Sequence, residues 1–202
     1  AAELYQRALT LRADSLHLGN PENLPLLGEL AGFMFAAGRA AEALPIATQV
    51  LEIERTLRGP GHPLVAFAHE QRGSIYRKVQ RSEDARRDFE RAIDIYDQVH
   101  GPHHASSGNA WSGLANLALE SGDEAQTIEL LETALRCYGE LEEFRSKRGQ
   151  AQLQMAELLW KDRTRRDEAR KLAKLARAEF VEVGARGEQY LAELDDWERT
   201  HR

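Results

Sequence analysis

The sequence predicts an all-α fold in which antiparallel helix pairs stack into one array that ends in a capping helix. Two observations predict it. Small side chains recur at intervals of 42 residues, at Ala43, Ala85, Thr127 and Ala169. Gly38 and Gly122 stand two such intervals apart, and each lies between two apolar helical segments. A fixed period of roughly 20–50 residues is typical of repeat proteins, whose units bury their apolar faces by stacking.

The first elements follow from apolar residues at helical spacing. Residues 1–18 carry Leu4, Ala8 and Leu11 on one stripe and match the second helix of the later repeats, so we expect the chain to begin partway through a repeat. The uncovered apolar face of this helix predicts contact with a preceding segment or with a second copy, which would form a homodimer. Helix pairs at 22–58 and 63–99 follow, separated by glycine and proline.

Two more pairs are predicted at 105–140 and 143–183. In the fourth pair Ala156 follows Ala115 by 41 residues, which predicts a one-residue adjustment that the next turn restores. A highly charged helix at 185–202 is the predicted cap, because a terminal repeat needs a wettable outer face. We expect all of 1–202 to form a single array.

The composition limits the classes of partner that the protein can bind and the cell compartment in which it works. The 202 residues carry a net charge of −6, which gives no general attraction to nucleic acid or anionic lipid. We therefore expect a protein or peptide partner, with neither nucleic acid nor membrane. The most apolar stretch, 24–35, is interrupted and falls short of the about 20 residues that span a bilayer. The single cysteine, Cys137, cannot form an internal disulfide, which favours a reducing, cytoplasmic setting.

The spaced glycines, the columns of small residues, and the linkers Gly59-Pro60 and His62-Pro63 resemble the tetratricopeptide repeat (TPR), in the long form found in kinesin light chains. The resemblance covers nearly the whole chain. It implies a right-handed superhelix, an α-solenoid, whose concave groove is lined by the first helix of each pair. In this family such a groove binds a peptide or a partner segment, and the module is not catalytic.

Several residues depart from the family pattern. Gln80 and Thr164 replace the turn glycine, and Arg72 stands where a leucine is usual. These departures bear on the geometry of the local turns more than on the fold. The carboxylate clamp that grips chaperone tails is absent, because positions that need polar or basic side chains hold Gly28, Gly32 and Gly113.

The resemblance also implies which side chains face the groove. By position they are Phe35, Phe67, Glu70, Ser74, Arg77, Lys78, Asn109, Ser112, Asn116, Leu119 and Glu120. Asn116 stands where many peptide-binding members place an asparagine that pairs with the ligand backbone, and a buried amide needs such partners. The alternative is an amide that is exposed or satisfied within the chain. Arg77 and Lys78 either pair with an acidic ligand or form a solvated helix face.

The closing segment, from Ala176 to Glu198, is similar to the end of TPR tails on large bacterial serine/threonine kinases. This resemblance implies an alternative function, as a regulatory or oligomerisation arm of a larger signalling enzyme. The kinase domain would then lie upstream of Ala1, because this sequence has neither a glycine-rich phosphate loop nor a His-Arg-Asp motif.

Other reactive residues have simpler explanations. His100, His103 and His104 lack the cysteine or carboxylate partners usual in zinc sites and are expected to form a polar linker. Cys137 has no histidine at a helical neighbour and is expected to pack. The basic stretch 161–177 is interrupted by acidic residues and lacks the alternating aromatics that stack on nucleic-acid bases. We therefore expect no enzyme activity, no catalytic residue, no cofactor and no metal.

Overall fold

The computed structural model describes residues 23–201, and the predicted leading helix at 1–18 lies outside them. The described residues form helices and turns, with no strand among them, so the prediction of an all-α fold is confirmed. The α-helices are α1 (Leu24–Ala36), α2 (Ala40–Arg58), α3 (Pro63–Lys78), α4 (Ser82–His100), α5 (Gly108–Glu120), α6 (Glu124–Tyr138), α7 (Arg145–Trp160), α8 (Arg166–Val183) and α9 (Glu188–Thr200). Short 3-10 turns lie at Ala105–Ser107, Glu142–Phe144, Arg163–Arg165 and Gly184–Gly187.

The chain divides into two compact units, Ala1–Pro102 and His103–Arg202, called unit 1 and unit 2 below. Within unit 1, α1 packs on α2, α2 on α3 and α3 on α4. Within unit 2, each helix from α5 to α9 packs on the next in the same way. Each unit is therefore built from helices that stack in chain order, as repeat hairpins do.

The columns of small residues lie in the core. Ala43, Ala85, Thr127 and Ala169 are all fully buried. Large rings pack against glycines across the helix pairs of unit 2. A Cβ at Gly108 would lie 2.5 Å from Tyr138 Cε1, and a Cβ at Gly149 would lie 2.5 Å from Phe180 Cε1. Neither position has room for a methyl group, so these glycines allow the close approach of the two helices.

Three turns within pairs share one geometry, although one of them lacks glycine. Gly38 has φ 76°, Gln80 has φ 61° and Gly122 has φ 82°. After Gln80, the backbone N–H of Arg81 donates to Tyr76 O at 2.9 Å, and the residues after both glycines make the same bond. The turn that was in question therefore keeps the left-handed conformation, with the strain that this imposes on a residue with a Cβ.

The fourth turn differs from the other three. Asp162 Oδ1 accepts hydrogen bonds from the backbone N–H of Thr164 at 2.9 Å and from its hydroxyl at 2.8 Å. These bonds close the 3-10 turn Arg163–Arg165. The connection occupies 161–165, where the third pair uses 121–123, so the extra length lies in this turn. Helix α8 thereby returns to the 42-residue register at Ala169.

The last helix, α9, covers the apolar side of α8. Leu194 and Trp197 are buried in one cluster with Phe180, and Phe180 also stacks on Tyr190 with ring centroids 5.0 Å apart. The opposite face of α9 is exposed and charged. Helix α9 therefore buries one face against α8 and presents a polar face to solvent.

Candidate functional site

The candidate site is an apolar groove in unit 1, between the first helices α1 and α3. It encloses a cavity of about 470 Å³, within the range of about 300–1,000 Å³ that is usual for ligand pockets. The lining, called the unit 1 groove below, comprises Leu24, Pro25, Gly28, Glu29, Ala31, Gly32, Phe35, Ala47, Val50, Glu54, Leu64, Phe67, Ala68, Gln71 and Ile75. Two of the residues predicted to face the groove, Phe35 and Phe67, are among them.

Large apolar side chains of α3 remain open to solvent in this groove. Phe67 is 49% exposed and Leu64 is 41% exposed. They stand one turn apart on the helix, so they present one continuous surface. Phe35 of α1 is half-buried in the same lining. Exposed apolar surface of this kind marks interaction sites in soluble proteins.

The α1 side of the groove is open because of two glycines. Gly28 and Gly32 are both exposed and stand one helical turn apart. A Cβ at either position would have no heavy atom of another described part of the chain within 4 Å. Packing within the described residues therefore does not require these glycines, in contrast to Gly108 and Gly149.

The charged groups of the groove are acidic. Its described lining includes Glu29 and Glu54 and has no lysine, arginine or histidine. Glu54 is buried and accepts a hydrogen bond from Arg58 Nε at 2.6 Å, which offsets its charge. Glu29 is exposed. The described lining of the groove is therefore mostly apolar.

Four other predicted residues of α3 lie outside this lining. Glu70 is only 5% exposed, because its side chain turns into the protein near Tyr96, whose pKa is raised by burial and by the Glu70 charge. Ser74 is half-buried, and its hydroxyl donates to Glu70 O at 3.1 Å. Arg77 is half-buried and Lys78 exposed, both in the last turn of α3. Of these four, Lys78 offers the most accessible charge.

The predicted polar residues of α5 form a connected set in unit 2. Asn116 Nδ2 donates to Ser112 O at 2.9 Å, and Asn116 Oδ1 accepts from Gln154 Nε2 at 3.3 Å. The Tyr138 hydroxyl donates to Asn109 Oδ1 at 3.1 Å and lies 3.0 Å from Ser112 Oγ. The Asn116 amide thus has partners within the chain at both ends. A ligand would replace Gln154 or use the second acceptor site of Oδ1.

The other two predicted residues of α5 stand at its end. Leu119 is half-buried and Glu120 is exposed. Leu119 therefore keeps part of its apolar side chain open to solvent.

A buried charge network in unit 1 was not foreseen from the sequence. Asp88 on α4 accepts hydrogen bonds from Arg72 Nε at 2.7 Å and Nη2 at 2.8 Å, and its Oδ1 lies 2.7 Å from His69 Nδ1. Burial raises the pKa of Asp88, but the bonds from Arg72 and His69 outweigh it and hold the pKa below its ordinary value. The available signal was Arg72 itself, a charge at a position where the family usually has leucine.

A second such network, in unit 2, joins α7 and α8. Arg148 donates to both carboxylate oxygens of Glu179, at 2.8 and 2.9 Å. Its Nη1 also donates to the carbonyls of Gly139 and Leu141, both at 2.8 Å. Arg148 is buried, so all these bonds hold the helix pair and the preceding loop together.

Two histidines and the cysteine make contacts within the fold. His62 Nδ1 accepts a hydrogen bond from the Leu64 N–H at 3.1 Å. His104, which lies 42 residues after His62, makes the equivalent bond: its Nδ1 accepts from the Ser106 N–H at 3.2 Å. Cys137 is buried, with Sγ 3.5 Å from Ser107 Oγ. No group of three or more potential metal ligands occurs in the described part of the chain.

The basic stretch 161–177 makes many internal pairs. Arg165 pairs with Glu168, Arg170 with Asp167, and Arg177 with two acidic residues of α9, Asp195 and Glu198. The guanidinium groups of Arg166 and Arg170 also lie over the Trp160 ring.

Among residues 23–201, no helix is long and apolar enough to cross a membrane.

Comparison with known proteins places this geometry among repeat proteins. The profile of the tetratricopeptide repeat family matches residues 23–96 and 65–140. The chain is similar to a Podosopora anserina protein with nearly identical TPR-like repeats, assigned as a kinesin light chain. The identity is 22% and the TM-score 0.63, over 91% of this chain and 87% of that chain.

Two further solved structures are similar. BtubC (BKLC) from P. vanneervenii is 19% identical with a TM-score of 0.63, over 96% of this chain and 72% of that chain. MamA is 18% identical with a TM-score of 0.55, over 88% of this chain and 85% of that chain. Comparison with curated proteins gives no match. At these identities the likeness concerns the fold, and it confirms the predicted solenoid of stacked helix pairs.

Proposed function

Because this chain belongs to the tetratricopeptide repeat family, we propose that it is a protein-interaction module that binds a peptide or partner segment along its first helices. Repeats of this family generally mediate protein–protein interaction and are typically non-catalytic scaffolds. The observation that carries the proposal is the unit 1 groove, where Phe67 and Leu64 leave apolar surface exposed around a cavity of ligand size. Its binding energy comes from covering that surface.

The polar set on α5 has a supporting role in this proposal. Asn116 lies half-buried on the same helix as Ser112 and Asn109, and peptide backbones offer donors and acceptors that match such amides. Leu119 adds apolar surface at the end of the same helix. The exposed Lys78 at the end of α3 suits an acidic residue of the partner. We propose protein as the partner class in a cytoplasmic setting, with no role for nucleic acid, membrane or cofactor.

The test uses the purified chain and a library of random peptides displayed on phage. We expect enriched peptides to bind the wild type, and Phe67→Ala to weaken binding by roughly 30-fold, the effect of a hot-spot side chain of about 2 kcal/mol. The matched control is Leu175→Ala on α8, since Leu175 is 53% exposed but lies outside the groove. Asn116→Ala is expected to weaken binding less than Phe67→Ala.

Two results would contradict the proposal. One is a selection that enriches no peptide for the wild-type chain. The other is equal binding by Phe67→Ala, Leu175→Ala and wild type. Thermal unfolding of each variant is the control for folding, and we expect Phe67→Ala to change stability by about 1 kcal/mol or less, because half of its surface is already in water.

The resemblance to kinase tails predicts that this chain is part of a larger kinase, and this remains a prediction. Self-association through residues 1–18 also remains a prediction. The coding sequence upstream of Ala1 tests the first directly. Sedimentation of the purified chain at several concentrations tests the second, because a homodimer through an apolar helix face shifts mass with concentration.

A further inference from the structure

We propose that the solvent-exposed face of α8 is a second docking surface, and that it binds an acidic amphipathic helix of a partner protein. This face lies in unit 2, apart from the unit 1 groove, so the inference does not depend on the proposed function. Three observations carry it: exposed apolar side chains on one side of α8, polar residues at the same positions of the earlier repeats, and two lysines without an ion-pair partner.

The apolar part of this face comprises Leu175, Ala178 and Val181. Leu175 is 53% exposed and Val181 is 58% exposed, the highest values for large apolar side chains in the part of the chain that the structure describes. Ala178 is exposed as well. At about 100° per residue, the three side chains lie within about 120° around the helix axis, with Ala178 in the middle. Single exposed apolar residues are normal on a protein surface, whereas a set on one helix face indicates an interaction site.

The earlier repeats show that the fold does not require apolar residues at these positions. The 42-residue period gives each residue of α8 one counterpart in α2, in α4 and in α6. The counterparts of Val181 are an arginine, an aspartate and a glycine. Those of Leu175 and Ala178 are all polar or charged: Gln49, Arg91, Thr133, Glu52, Asp94 and Arg136. Because three second helices form without an apolar surface here, packing of the repeat does not explain the apolar residues of α8.

The charge of the face indicates an acidic partner. Lys171 and Lys174 are exposed on the same side of α8 as Leu175, and neither has an ion-pair partner among residues 23–201. The arginines of α8, in contrast, pair with acidic residues or lie over the Trp160 ring. The counterparts of Lys174 in α4 and α6 are both glutamate, so the fourth pair reverses the charge at this position. An acidic side chain beside Leu175 would therefore be attracted by both lysines.

The dimensions of the face suit a helix that lies along α8. From Lys171 to Val181 the face is about 15 Å long, at about 1.5 Å per residue. A partner helix with apolar residues at positions i, i+3 or i+4, and i+7 covers this length with one stripe. Acidic residues beside that stripe reach the lysines. Glu182 is exposed at the C-terminal end of the same face and would be repelled by anionic lipid, so the observations favour a protein over a membrane surface.

The first experiment selects ligands of this face from a phage library of helical peptides. The library is panned on the full chain carrying Phe67→Ala, so that the unit 1 groove lacks its most exposed side chain. We expect enriched peptides with large apolar residues at helical spacing and an excess of glutamate and aspartate. Leu175→Ser in the same chain should weaken these peptides by roughly tenfold or more. The matched control is Leu57→Ser, at a leucine of α2 that is 48% exposed, which should leave their binding unchanged.

The second experiment tests the lysines with the tightest of these peptides, labelled for fluorescence polarisation. Lys174→Glu is expected to weaken binding by roughly fivefold at low salt, and the effect should shrink at high salt because the charges are screened. Lys147→Glu, at an exposed lysine of α7, is the control and should leave the affinity unchanged. Neither change should lower the melting temperature by more than a degree or two, about the effect of an ordinary surface substitution.

Several outcomes would overturn the inference. They are a selection in which no enriched peptide depends on Leu175, dependent peptides that are basic or neutral, and equal binding of the acidic peptide by Lys174→Glu and wild type. Sedimentation of the chain with phosphatidylserine vesicles that Leu175→Ser abolishes would assign the face to a membrane instead. Self-association that Leu175→Ser abolishes would assign it to a second copy. A failure to find peptides that depend on Phe67 would contradict the proposed function alone, because this selection uses a chain without that side chain.

Discussion

Replacing Asp88 with leucine is expected to destabilise the protein by about 3–5 kcal/mol, the usual cost of breaking a buried ion pair by removing one partner. The Asp88 side chain is 6% exposed, and that of its partner Arg72 is 15% exposed. Asp88 accepts two hydrogen bonds from the Arg72 guanidinium, and its Oδ1 also meets His69 Nδ1. Without the carboxylate, the guanidinium remains charged in a site with little access to water.

The second replacement, Arg72→Leu, decides whether this reasoning is correct. In the double variant Arg72→Leu/Asp88→Leu no uncompensated charge remains, and leucine is the residue that the family usually has at position 72. Exchanging a buried ion pair for apolar side chains is often neutral or stabilising. We therefore expect the double variant to recover most of the stability that Asp88→Leu loses. Urea unfolding of the wild type, both single variants and the double variant measures the coupling.

The pH dependence gives an independent check on Asp88. Its pKa in the folded protein is held below the ordinary value of 3.8. The folded state therefore binds the proton less readily than the unfolded state, and the carboxylate contributes stability above pH 3.8. That contribution is lost as the pH falls through the lowered folded-state pKa. The difference in unfolding free energy between wild type and Asp88→Leu should be full at neutral pH and should shrink in acid.

Two results would refute this reasoning. If Asp88→Leu costs less than about 1 kcal/mol at neutral pH, the buried network contributes no more than a surface pair does. If the double variant is as unstable as the sum of the two single variants, Arg72 and Asp88 act independently and the loss has another cause.

Two further predictions concern the backbone and are measured by urea unfolding. Gly149→Ala is expected to cost about 1–3 kcal/mol, because its Cβ would overlap the buried ring of Phe180 at 2.5 Å; an unchanged midpoint would show that the ring moves freely. Gln80→Gly is expected to stabilise the protein by about 1 kcal/mol, because φ is 61° and glycine removes the left-handed strain. A loss of stability in Gln80→Gly would mean that the glutamine side chain outweighs the strain.

Much of the fold could be predicted because it is encoded locally. Ala43, Ala85, Thr127 and Ala169 are fully buried, as their 42-residue spacing predicted. The change of turn at Thr164 and the one-residue adjustment were both visible as departures from the period. The left-handed Gln80 shows that the repeat imposes its turn even on a residue that tolerates it poorly.

The candidate site was predictable only in part. Phe67 lies in the groove with its ring exposed, at a position that the family alignment indicated. Glu70, one turn further along the same helix, is buried instead. The position of a residue in a helix predicts the face on which its side chain lies. At the edge of that face, packing of the neighbouring helix decides whether the side chain is exposed to solvent. The partners of Asn116, on α5 and α7, likewise follow from packing between helices.

The amino-acid sequence by itself determined the helix pairs, their period and most of their turns, because apolar spacing and backbone preference act over a few residues. The tertiary structure decided which glycines face a ring and which face open space. It also decided that Arg72 meets Asp88, 16 residues away, and that Gly28, Gly32 and Phe67 line the same cavity. These relations depend on how one helix lies against the next, and residues far apart in the chain have no local pattern that records their distance.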